Sequence, residues 1–136
     1  MLVYLDSSAL IKRAIREPGS EAFVLALGAE QARGSQLVSA SLAWVEVSRA
    51  LRSRLDDADP VVIARLTEVA LSGIDEAPQA SEVVSVARRI GPPALRSLDS
   101  IHLATATLLD ADEIWSYDLR LVQVADELGF TTRAPA

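Results

Sequence analysis

Four acids stand where this 136-residue sequence is otherwise apolar. Asp6 follows directly on LVYL, Asp118 follows EIWSY, Asp99 opens DSIHLATATLL, and Glu46 lies within SLAWVEVSRAL. At about 100° per residue, Leu42, Val45, Val47, Ala50 and Leu51 surround Glu46 on a helix, so its carboxylate falls in the arc that faces a core. Glu is almost never buried without a partner, because a charge stranded away from water is costly or takes up a proton. The plainer alternative is an edge position, where the side chain reaches water beside Arg49. For the three aspartates the plainer alternative is an N-cap. Capping does not exclude a second role, since a helix N-terminus also steadies a carboxylate's charge.

Gathered carboxylates suit one kind of chemistry. Their oxygens are natural ligands of Mg²⁺ and Mn²⁺. Such ions lower the pKa of a bound water and neutralise the charge that develops on a phosphoryl group under attack. Without a cation, close carboxylates repel and some stay protonated. An inward Glu46 held by cations therefore predicts that Glu46→Gln stabilises the metal-free protein. A phosphatase with an aspartyl nucleophile typically wants a second acid two residues on; here that residue is Ser8. His102 stands three residues after Asp99, the helical spacing of an Asp-x-x-His metal pair. A single His inside an apolar helix is more often a hydrogen-bonded core residue, and that reading is preferred.

The elements that must position these acids can be read from punctuation and period. Leu2–Leu5 is wholly apolar, as a strand buried on both faces should be. Residues 7–16 read as a short helix stopped by Pro18–Gly19, and 21–32 as a helix ended by Gly34. Residues 37–39 suggest a strand, and Ser41 caps a helix to about residue 55. Pro60 takes the first position of a helix through residue 71. Residues 73–76 suggest a brief strand and 78–90 a helix ended by Gly91–Pro92–Pro93. A helix over 99–109, a strand over 113–117, a helix over 118–128 and a strand over 129–132 complete the chain. Short apolar strands alternating with helices predict an α/β fold: one domain over 1–136, a three-layer α/β/α sandwich around a mostly parallel sheet. In such sheets ligands sit beyond the carboxyl ends of the strands, where Asp6 and Asp118 fall.

Composition narrows the function further. Half the residues are hydrophobic, which argues against disorder, and no apolar run approaches the roughly 20 residues of a membrane span. The N-terminus lacks the basic region of a signal peptide, and there is no cysteine, which excludes disulfides and thiolate chemistry. A cytoplasmic protein is expected. The net charge of −6 is wrong for a simple basic nucleic-acid surface. It is compatible with carboxylates that meet phosphate through a cation, or that receive an arginine from a partner.

The stretches LVYLDSSALIK, SLAWVEVSRAL, LRSLDSIHLATATLL and EIWSYDLRLVQVADELGF span the chain. Together they resemble the PIN-domain ribonucleases, and among them the VapC-type toxins of prokaryotic toxin–antitoxin modules. The resemblance implies a Mg²⁺-dependent endoribonuclease, with Mn²⁺ able to substitute, that cleaves RNA phosphodiester bonds with a metal-activated water. It maps the family's four acids onto Asp6, Glu46, Asp99 and Asp118. Asp6 and Asp99 would be the principal metal ligands, with Glu46 and Asp118 completing the site or serving a second ion. Ser8 and Ser116 take supporting places. It also implies a VapB-like antitoxin that blocks the site, for which an inserted Arg-bearing segment is the expected means. Lys12, Arg13 and Arg16 flank the acids and are candidates for RNA-phosphate contacts, although a solvated helix face would look the same. So apolar a chain points to a homodimer or a toxin–antitoxin hetero-oligomer. The alternative is a non-catalytic module of the same fold whose acidic groove only holds a basic segment.

Overall fold

The computed structural model describes residues 1–136. Five strands, β1 (Leu2–Leu5), β2 (Gln36–Ala40), β3 (Asp75–Ala77), β4 (Glu113–Trp115) and β5 (Thr131–Arg133), form one sheet in the order β3-β2-β1-β4-β5. Every neighbouring pair is parallel. Parallel strands need crossovers, and helices supply them: α1 (Ser7–Leu10), α2 (Ser20–Ala32), α3 (Ser41–Arg54), α4 (Pro60–Leu71), α5 (Ser81–Ala87), α6 (Ser97–Leu108) and α7 (Leu119–Glu127). None of them is long and apolar enough to cross a membrane.

The alternation of side chains along β1 divides the interior. Val3 and Leu5 join one core with Phe23, Leu27, Val47 and Leu51, from α2 and α3. Tyr4 points the other way, into a core with Leu103 and Ala106 of α6 and Leu121 and Val124 of α7. The result is the three-layer α/β/α sandwich expected. The chain winds outward from β1 through β2 and β3, then returns to lay β4 on the other side of β1. That reversal is where an open α/β sheet leaves a crevice at its carboxyl rim. Leu5 pairs with Trp115, so Asp6 and Ser116 emerge side by side there.

Several boundaries differ from the sequence reading, each for a local reason. The first helix covers only Ser7–Leu10 and tightens into a 3-10 turn over Ile11–Arg13 before the Pro18–Gly19 stop. Ser41 does not cap α3: Ala40 holds that position, and the Ser41 hydroxyl bonds Glu76 and the Ala77 carbonyl across the sheet edge. β3 lies at 75–77 rather than 73–76, and α5 is confined to Ser81–Ala87. Asp99 is no cap either. Helix α6 starts at Ser97, with Arg96 at the cap position, which puts Asp99 inside the first turn.

Candidate functional site

Asp6 is built into the rim from both sides. Its backbone N–H continues the β1–β4 ladder to the Trp115 carbonyl, and its side chain caps α1 by accepting from Ala9 N at 3.1 Å. Oδ1 also accepts from Ser8 Oγ at 2.7 Å, and Oδ2 from Ser116 Oγ at 2.6 Å. Each serine is held in turn. Ser8 Oγ accepts from Tyr117 N, and Ser116 Oγ from Asp118 N. With both hydroxyl hydrogens pointed at Asp6, the carboxylate is surrounded by donors on a single orientation. Asp6 is only 3% exposed and enters no ion pair. Burial pushes its pKa up, against the lowering effects of His102, Ser116, Ser8 and Ala9. A carboxyl buried without an ion pair, yet fixed by three hydrogen bonds, is the site's central feature.

Asp118 and Asp99 are joined by a residue that the sequence reading passed over. Asp118 caps α7 by accepting from Arg120 N and Leu121 N on Oδ1. Its Oδ2 accepts from Arg96 Nη2 at 2.8 Å, while Arg96 Nε donates to Asp99 Oδ2 at 3.1 Å. One guanidinium thus spans acids from two helices. The signal was present in the sequence, since Arg96 and Asp99 have the i,i+3 spacing of a helical ion pair. Taking Asp99 for the cap hid it.

Glu46 reaches the same rim from the opposite layer. The start of α3 crosses the carboxyl end of the sheet: Leu42 packs with the α6 side, while Ala43, Val47 and Leu51 are buried on the other. Val45, which the helical arc placed toward the core, is 55% exposed. Glu46 Oε1 meets His102 Nε2 at 2.5 Å, and His102 Nδ1 meets the Tyr4 hydroxyl at 2.6 Å, which accepts from Ala40 N at 3.2 Å. Burial holds the Tyr4 hydroxyl protonated by pushing its pKa far up. In the neutral ring its hydrogen therefore goes to Nδ1, leaving Nε2–H to donate to Glu46. Burial alone would lower the His102 pKa, but the Glu46 bond and the fields of Asp6, Glu46 and Asp99 raise it overall. Both ring nitrogens are engaged inside the protein, as the core-histidine reading expects. Glu46 is paired rather than stranded. The expected gain in metal-free stability from Glu46→Gln accordingly loses its basis, and Arg49 is not the partner.

Ser116 joins Asp6 to the Asp118 backbone and Arg96 joins Asp118 to Asp99, while Glu46 is held by His102, which feels the fields of Asp6 and Asp99. No three acid or histidine side chains form a ready-made metal-ligand set. Mg²⁺ does not require one, because it keeps several waters and binds through one or two carboxylates. The donors are oxygens alone, which suits a hard cation, and Asp99 Oδ1 and Glu46 Oε2 carry no hydrogen bond within the protein. The donor set fits Mg²⁺ or Mn²⁺.

The basic residues after Asp6 are placed differently from the sequence expectation. Lys12 is buried, donating to Glu17 at 3.0 Å and the Pro18 carbonyl at 2.7 Å, with its ammonium over the Tyr117 ring. Arg13 donates to the carbonyls of Ala70 and Ser72, tying the 3-10 turn to the end of α4. Lys12 is therefore not the solvated cation a phosphate contact needs, and Arg13 is half-buried with Nη1 committed to the two carbonyls, because the short helix rolls both back onto the fold. Arg16 alone of the three is exposed.

Comparison with known proteins agrees with this architecture. The PIN domain profile matches residues 3–127. Ribonuclease VapC46 of Mycobacterium tuberculosis is 38% identical, with 98% of each chain covered. Ribonuclease VapC47 of the same species is 35% identical, over 98% of this chain and 97% of that protein. Among solved structures, VapC20 of M. tuberculosis, a Sarcin-Ricin-loop-cleaving toxin, superposes with TM-score 0.72 at 11% identity, covering 98% of this chain and 99% of that one. VapBC2 from Rickettsia felis, bound to a promoter DNA fragment, gives the same TM-score at 10% identity, with 98% of each chain covered. At such identities these two structures speak for the fold alone.

Proposed function

This chain belongs to the PIN-domain family, and from that premise we propose that it is a Mg²⁺-dependent endoribonuclease, with Mn²⁺ able to substitute, acting in the cytoplasm as the toxin of a toxin–antitoxin pair. The observation that carries the reading is Asp6, a buried carboxyl with no cationic partner, fixed by Ser8, Ser116 and Ala9 on a rim shared with three other acids. Its near-full-length likeness to proteins named ribonucleases supports the substrate class. A bound divalent ion would neutralise the phosphate under attack and acidify the water that attacks it.

The chain's own groups would divide the remaining work. Asp6 and Asp99 would hold the principal ion. Glu46, steadied by His102, and Asp118, steadied by the α7 cap, would complete its surroundings or serve a second ion. Ser8 and Ser116 keep the Asp6 oxygens turned to the rim. The purified chain should cleave single-stranded RNA in millimolar Mg²⁺ and stop in excess EDTA. A second readout is free of activity. An ion that binds only the folded state at 100 times its dissociation constant adds about 2.7 kcal/mol of stability, so the melting temperature should rise by several degrees. Cleavage that survives EDTA, with no thermal shift, would overturn the metal mechanism.

The partner reading is that a VapB-like antitoxin lays an Arg-bearing segment across these carboxylates, where charge-assisted pairs are strong. Self-association or hetero-oligomer formation through exposed apolar residues such as Val24, Leu25, Val61 and Val69 belongs to the same reading. Co-expression with the product of a neighbouring small gene should yield a larger, inactive complex on sizing. A monomer that stays fully active beside that product would defeat the toxin assignment and leave the nuclease standing. The non-catalytic alternative predicts no RNA cleavage at all.

A further inference from the structure

A chain of net charge −6 that handles RNA needs a local strip of positive charge, and the expected one is largely consumed by the fold. Arg33, Arg54 and Arg133 are likewise paired, with Glu30, Glu17 and Glu113. The segment between α5 and α6 is different. Its sequence over 88–96, RRIGPPALR, carries three arginines and no acid. Arg88 and Arg89 are exposed and enter no ion pair, and so is Arg120 at the start of α7.

The structure sets these residues along two adjoining clefts. One, of about 390 Å³, is lined by Arg88, Arg89 and Ser97. The other, of about 320 Å³, is lined by Arg96, Asp99, Arg120 and Gln123. Pro92 and Leu95 line both, so the clefts lie side by side, and the second reaches Asp99. The segment is held in shape. Gly91 has φ +71°, and a Cβ there would lie 2.9 Å from Leu95 and 3.1 Å from Val124. Two prolines follow it, and Leu95 N donates to the Pro92 carbonyl at 3.0 Å. Little ordering entropy would remain to be lost on binding. Arg96 uses Nε and Nη2 on Asp99 and Asp118, and its side chain is still 57% exposed, so further N–H donors remain for an incoming anion. Glu127 also lines the second cleft, but it faces Gln123, with Nε2 at 3.5 Å.

We propose that the 88–96 segment, with Arg120 across the cleft from it, is the track along which the phosphate backbone of single-stranded RNA reaches the four acids, Arg96 being the last contact before them. The proposal rests on the nuclease reading for the identity of the strand, and its test is made on binding so that the two can fail separately. Arginine suits the task because its planar fork holds phosphate oxygens in pairs.

The experiment measures binding of a labelled single-stranded RNA oligonucleotide in EDTA, as a function of salt. It compares wild type, the double variant Arg88→Ala/Arg89→Ala, Arg120→Ala, and a control, Arg49→Ala/Arg52→Ala, whose residues line a separate cleft between α3 and α4. Each arginine that no longer neutralises a phosphate should lower the slope of log affinity against log salt by about 0.7, so the double variant should fall by about 1.4 and the control not at all. In Mg²⁺, cleavage of a long RNA by the double variant should show a raised KM with kcat little changed. An unchanged slope in the loop variants, an equal fall in the control, or no RNA binding by wild type would overturn the track. Wild type that binds RNA through these arginines but never cuts it would sink the nuclease reading and leave the track in place.

Discussion

Asp6→Asn is expected to lower RNA cleavage by at least about 10²-fold, the order of loss seen when one fixed electrostatic group is removed from an active site. The substitution keeps the shape of the side chain and removes its charge. An amide oxygen can still accept from Ser8 Oγ and Ala9 N, the two donors to Oδ1. The amide nitrogen faces Ser116 Oγ, which must then turn its hydrogen away while still accepting from Asp118 N. That local mismatch costs on the order of 1 kcal/mol, against which the burial of a charge is relieved. The fold should therefore persist, with a melting temperature within a few degrees of wild type and a clearly smaller response to Mn²⁺. Asp99→Asn should behave alike, although it also weakens the hold on Arg96. Wild-type rates in either variant would remove these carboxylates from the mechanism. A collapse of the fold in Asp6→Asn would mean that its charge, and not only its hydrogen bonds, is structural.

The second large effect is on stability. His102→Ala should cost about 3 kcal/mol, the sum of an emptied buried site and of partners left on both sides of it. Tyr4 and His102 are 1% and 2% exposed, so the Tyr4 hydroxyl loses its acceptor away from bulk water. Glu46, with 23% of its side chain exposed, can recover part of its solvation. For a chain of this length the melting temperature should fall by roughly 10 °C. Glu46→Gln retains an acceptor for Nε2–H and should cost far less, which separates the hydrogen bond from the charge. A double-mutant cycle between positions 46 and 102 measures the coupling directly. Additive losses, or a His102→Ala protein that melts like wild type, would show that the Tyr4–His102–Glu46 chain contributes nothing to holding α3 over α6.

Local sequence determined a good deal of this protein. A short apolar run without alternation, such as LVYL, is what a strand covered on both faces requires, and the spacing of such runs by helices left a parallel sheet as the economical arrangement. The acids were conspicuous for the same reason: Asp6 follows β1 directly and Asp118 comes three residues after β4, and strand ends in such sheets share a rim. Pairings across layers were not legible. That Glu46 meets His102, 56 residues away, depends on α3 crossing the rim toward the α6 layer, and helical periodicity says which face is apolar but not which helix it will meet. The same limit misplaced Val45. Lys12 and Arg13 looked like surface cations because nothing in their neighbourhood announces that the helix stops at Leu10 and a 3-10 turn rolls them inward. Arg96 was lost through a two-residue error in where α6 begins, which is the usual precision of a boundary read from local signals. Residue type and spacing thus sufficed to nominate the acids. Their counter-charges come from elements far apart in the chain, and only tertiary packing decides those.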